Sequence, residues 1–92
     1  MDRELPNEDR ERIVEIANAH PDVRGMHDLR TRSSGNKTFI QLHLEMDPDL
    51  ALRDAHVIAE AVMYSIEKAF PDAEVMIHED PEGVQERRLD FD

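Results

Sequence analysis

Apolar residues in this chain recur first at helical spacings of three and four, then at every second position, then at helical spacing again. Ile13, Ile16 and Ala17 follow Pro6 and Asn7, with Glu8 and Asp9 suiting the positive end of a helix that Pro21 closes. Val23 to Arg32 and Thr38 to Met46 read as strands. Ser33-Ser34-Gly35-Asn36 between them is a turn signal, so the pair is expected to form an antiparallel hairpin. In the second strand Ile40, Leu42, Leu44 and Met46 face one way, and Phe39, Gln41, His43 and Glu45 face the other. Asp47-Pro48-Asp49 interrupts the alternation. A helix from about Leu50 to Phe70 follows, with the stripe Leu52, Ala55, Ala59, Val62, Met63, Ile66 and Phe70. Pro71-Asp72 ends it, Ala73 to His78 is a short third strand, and residues 82–92 are expected to be a flexible tail.

The order is αββαβ. A helix crossing between the second and third strands makes those strands parallel through a right-handed connection. The expected fold is α+β: a three-stranded mixed sheet with both helices on one face, a ferredoxin-like two-layer sandwich lacking its first strand.

Ninety-two residues make one domain, 1–92, burying roughly 60–65% of the unfolded surface. Aromatics are only 4% of the chain, so the core must be aliphatic: Ile13, Ile16, Ile40, Leu42, Leu44, Val62, Ile66, Val75 and Ile77. A core this shallow leaves one sheet face open to a partner. Twenty-two acidic against eleven basic residues give a net charge of −11. That argues against nucleic-acid binding and is compatible with attracting divalent cations. No stretch approaches the roughly 20 apolar residues of a membrane span and no signal peptide is visible, so the chain reads as soluble and not secreted.

The absence of cysteine fits a reducing compartment and leaves imidazole and carboxylate as the available ligands for a borderline cation such as zinc. His27, His43, His56, His78 and Asp80 lie where the elements begin or end. His43 and His78 are near the C-terminal ends of parallel strands. His27 starts the antiparallel neighbour, His56 is in the opening turns of the second helix, and Asp80 follows His78 by two. All five converge on one end of the domain. The hairpin register is open: a turn centred on Gly35 pairs His27 with His43, whereas a two-residue Gly35-Asn36 turn pairs Leu29 with Leu42 and parts the histidines, unless a bulge reconciles the two.

GMHDLRTRSSGNKTFIQLHLEMD, followed by AHVIAEAV and VMIHEDP, resembles the cytoplasmic C-terminal domain of cation diffusion facilitator (cation efflux) transporters, in particular the bacterial zinc and ferrous-iron efflux branch. The resemblance runs from about Pro6 to Pro81. It implies a metallochaperone-like αββαβ domain that forms a homodimer, binds zinc near the dimer interface and stabilises paired transmembrane domains exchanging metal for protons. It implies His27, His43, His56, His78 and Asp80 as ligands, with Asp80 bridging two ions, and a cytoplasmic location at the inner or plasma membrane. Zinc is the expected ion, with Fe2+ or another divalent transition metal as alternatives. Glu79 departs from the uncharged amide often found there in relatives. With no transmembrane helix in the sequence, the chain is either a detached domain or a free-standing version, and transport chemistry lies outside it.

Other readings compete. A free-standing cytosolic zinc buffer or chaperone would carry the same site. A zinc hydrolase would need an open coordination position and a general base, and no HExxH-type motif is present, so an enzyme is not expected. A small-molecule-sensing module would explain the fold but not the histidines. His20 reads as capping helix carbonyls, Glu45 as an exposed charge or an acceptor fixing an imidazole tautomer. Arg30 and Arg32 read as solvated or facing a partner, and the methionines as core packing.

Overall fold

The computed structural model describes residues 3–83. Most of the expected tail at 82–92 lies outside the described residues. The elements run α1 (Asn7–Ala19), β1 (Gly25–Ser34), β2 (Lys37–Met46), α2 (Leu52–Ala69) and β3 (Ala73–Pro81). The sheet order is β1-β2-β3, with β1 antiparallel and β3 parallel to the central β2. This is the expected αββαβ sandwich with both helices on one face.

The core follows from the alternation in β2. Ile40, Leu42, Leu44 and Met46 are all buried, beneath Ile13 and Ala17 of α1 and Ile58, Ala59, Val62 and Ile66 of α2. Ile16, Val75 and Ile77 are only partly buried, because edge strands and the outer flank of a short helix are covered on fewer sides. Leu52, expected in the apolar stripe, is 81% exposed. Asp47 Oδ1 accepts the Asp49 backbone N–H at 2.9 Å and the Asp47 carbonyl accepts that of Leu50. This turn delays the helix to Leu52, and Ile58 takes the inward place.

Both hairpin registers occur. From the turn to Arg30↔Gln41 the pairing is that of a two-residue Gly35-Asn36 loop; beyond it, His27 pairs with His43 and Met26 with Leu44. A β-bulge reconciles them, setting Asp28 and Leu29 against Leu42. Asp28 takes φ 55°, the left-handed region that aspartate tolerates better than most residues. The bulge turns Met26, Leu29 and Thr31 toward the helices and His27, Arg30 and Arg32 toward the open face. Arg10 of α1 secures it, donating to the Leu29 carbonyl at 3.2 Å and the Thr31 hydroxyl at 3.1 Å.

Candidate metal centre

His27, His43 and His78 are ladder partners across all three strands, so they form one row on the open sheet face. Ring centroids are 4.9 Å apart for His27 and His43 and 4.6 Å for His43 and His78, with interplanar angles of 24° and 14°. Neighbouring strands lie about 4.8 Å apart, so the ring stack repeats the spacing of the sheet. Gly25, Glu45 and Asp80 form the next row toward the end of the sheet.

The two rows lean together. Asp80 Oδ2 lies 2.9 Å from His43 Nδ1 and 3.2 Å from His27 Nε2, and one donor atom from each of these residues falls within 4.8 Å of the others. Donors around tetrahedral zinc, at bond lengths of about 2.0–2.1 Å, sit roughly 3.3 Å apart. The two separations from Asp80 differ from that by a few tenths of an ångström, and the third side of the triangle, between the two imidazoles, lies within 4.8 Å. A carboxylate oxygen facing an imidazole nitrogen so closely needs a proton or a cation between them. Nitrogen and oxygen donors suit zinc, and the neighbouring carboxylates of Glu45 and Asp28 favour positive charge. His43 and Asp80 are the more enclosed members, with side chains 15% and 22% exposed against 42% for His27.

His56 shares the end of the sheet but not the face. Its exposed ring lies 3.4 Å from Glu60 and 3.7 Å from Glu79. Glu79 pairs with inward-facing Leu44 and so points to the helix side, opposite His78 and Asp80. The structure thus gathers His27, His43 and Asp80, brings His78 in through ring stacking, and sets His56 apart within one protomer. His20 Nδ1 accepts the Asp22 backbone N–H at 3.1 Å, so this imidazole closes the turn after α1 instead of donating to helix carbonyls. Arg30 pairs with Asp28 at 3.3 Å, and Arg32 lies over the Phe39 ring at 4.8 Å.

Asp28, 3.8 Å from His43 Nε2, was not foreseen. Its signal was present in the spacing of Met26, Leu29 and Thr31, which cannot all face the core without one extra residue. Glu45 makes its contact with His27 instead of adjacent His43, at 2.9 Å from Nδ1.

The family model for the cytoplasmic domain of cation efflux proteins matches residues 5–82. The chain belongs to this family. Its cytoplasmic location follows, and among the described residues no helix is long and apolar enough to cross a membrane. The cation-efflux pump FieF of Cronobacter sakazakii is 54% identical over 87 residues, 95% of this chain, and protein p34 of Rickettsia rickettsii is 46% identical over 86 residues, 94% of this chain. The chain spans 29% of the length of each of these relatives. Among solved structures, a Zn form of CzrB superposes with a TM-score of 0.82 at 32% identity, covering 95% of this chain and all of that one. A nickel form of a MamM CTD variant superposes with a TM-score of 0.72 at 30% identity, covering 87% of this chain and 100% of that one. The ferredoxin-like arrangement is common to all three.

Proposed function

We propose that this cation efflux domain is a regulatory, dimerising module that binds zinc-class divalent cations on the open face of its sheet, and that it serves zinc or iron export by proton antiport in the full-length transporter. The observation that carries the reading is the row of three histidines closed by Asp80, with two donor separations near a tetrahedral edge. His27, His43, His78 and Asp80 are its ligands from one protomer. His56, exposed and on the other side of β3, is the ligand a second copy would contribute, so that binding favours the orientation of two subunits that completes the coordination. The whole chain, 1–92, is read as one such domain, a binding module and not an enzyme.

The same open face offers the surface for a homodimer. Next to the histidine row, Arg30, Gln41, Met76, Arg32, Phe39 and Glu74 line a groove of about 400 Å³. Its apolar floor carries charges of both signs, so a two-fold contact can set arginine of one copy against Glu74 of the other. Bound cations would lower the acidic charge that opposes association.

Calorimetric titration with zinc tests the site. Replacing both His43 and His78 by alanine should abolish binding. Asp80→Ala should lower stoichiometry as well as affinity, because a bridging carboxylate serves two ions, while the apo fold survives. Zinc binding unchanged in the double histidine variant contradicts the proposal.

A further inference from the structure

We infer that Glu45 is a positioning residue of this centre, holding His27 in the tautomer whose Nε2 lone pair is aimed at the metal; the inference rests on the metal-binding reading above. Glu45 Oε2 lies 2.9 Å from His27 Nδ1. With Glu45 accepting the hydrogen of Nδ1, Nε2 is the ring nitrogen left to offer a lone pair once a cation takes the place of any proton between it and Asp80. Nε2 is the atom 3.2 Å from Asp80 Oδ2. The backbone arranges this reach. Glu45 stands across the ladder from Gly25, and its carboxylate carbon is 3.9 Å from where a Cβ on Gly25 would lie. The side chain therefore leans over the bare strand toward His27, its diagonal neighbour on the same face. His43 is held differently: its Nδ1 faces Asp80 at 2.9 Å and its Nε2 faces Asp28 at 3.8 Å. Glu45 thus acts on one ligand only, and that ligand is the most exposed of the three gathered side chains and has the most freedom to lose its aim.

The test compares Glu45→Ala and Glu45→Gln in the intact chain, with zinc affinity read by competition with a chromophoric chelator and the His27 tautomer read by long-range proton–nitrogen NMR. Glu45→Ala should weaken zinc roughly 10–100-fold, the usual effect of losing an outer partner of a metal ligand. Stoichiometry should not change, and the zinc-free ring should relax to a tautomer mixture. Glu45→Gln, whose amide oxygen still accepts from Nδ1, should keep the tautomer and recover most of the affinity. Zinc affinity in the alanine variant within about twofold of the parent, far short of that outer-partner effect, overturns the assignment. So does a glutamine variant as weak as alanine, which would make net charge the cause, or the loss of a bound ion, which would make Glu45 a direct ligand. If alanine at His43 and His78 leaves zinc binding intact, the centre itself fails and this inference with it. If those variants lose zinc while Glu45→Ala is silent, only the role of Glu45 fails.

Discussion

Deleting Asp28 should leave both the fold and the histidine row intact, whereas deleting Arg30, an equal shortening two residues away, should not. Asp28 and Leu29 together face Leu42 across the bulge. Without Asp28 the pairing set at the Gly35-Asn36 turn runs on unbroken: Leu29 meets Leu42 and His27 still meets His43, each on its present face. The deletion removes a non-glycine residue at φ 55°, a conformation costing about 1 kcal/mol or more. It also removes an exposed pair with Arg30, worth at most about 1 kcal/mol. These nearly cancel, leaving a net change within about 1 kcal/mol, or about 4–8 °C in thermal midpoint for a domain this size. Without Arg30, Leu29 moves opposite Gln41 onto the open face and Asp28 moves opposite Leu42 beneath the helices. Leu29 then loses part of the roughly 1.5–3 kcal/mol its burial supplies, and an unpartnered inward carboxylate adds about 1–3 kcal/mol. The assay is thermal unfolding by circular dichroism in chelator, followed by zinc titration. Deletion of Asp28 should keep the parent's zinc stoichiometry, with affinity lowered only as far as the lost carboxylate beside His43 lowers it; equal destabilisation by the two deletions, or loss of zinc on removing Asp28, would refute the reasoning.

Zinc binding should weaken below about pH 6, where imidazoles as a class take up the protons that compete with metal; calorimetry giving a constant affinity from pH 8 to pH 5 would exclude histidine ligands. Ile66, with no exposed surface, should cost about 2–5 kcal/mol when changed to alanine, and urea unfolding that shows less than 1 kcal/mol would mean that α2 does not seal the core. The domain should sediment as a homodimer without metal. Met76→Asp, at a residue 57% exposed on the open face, should weaken association while the monomer's midpoint stays within a few degrees; an unaltered dimer would move the interface off this face.

The order of elements and the parallel pairing of β2 with β3 were legible because strict alternation in β2 admits only one inward set, Ile40 to Met46, and because a helical crossover fixes strand direction. What was harder to read depends on edges and irregularity. β3 continues to Pro81 because its last residues pair with β2 although their composition is polar. The register of the hairpin stayed open because two rules conflicted, the turn favouring one pairing and the histidines another, and the bulge at Asp28 satisfies both. His56 was rightly placed at the end of the sheet but not on a face, since a position in the first turns of a helix does not say which side of the neighbouring strand its side chain passes. Glu45 was legible as an acceptor. That it serves His27 instead of His43 follows from the ladder setting it opposite Gly25, which only the register reveals.

Anomalous diffraction at the zinc edge, from crystals of the zinc-loaded chain, tests the central claim most directly. A peak should stand on the open face of the sheet, within about 2.0–2.2 Å of a ring nitrogen of His27, a ring nitrogen of His43 and a carboxylate oxygen of Asp80. No peak at that position, or zinc bound only beside His56 and Glu79 on the helix side, would contradict the account.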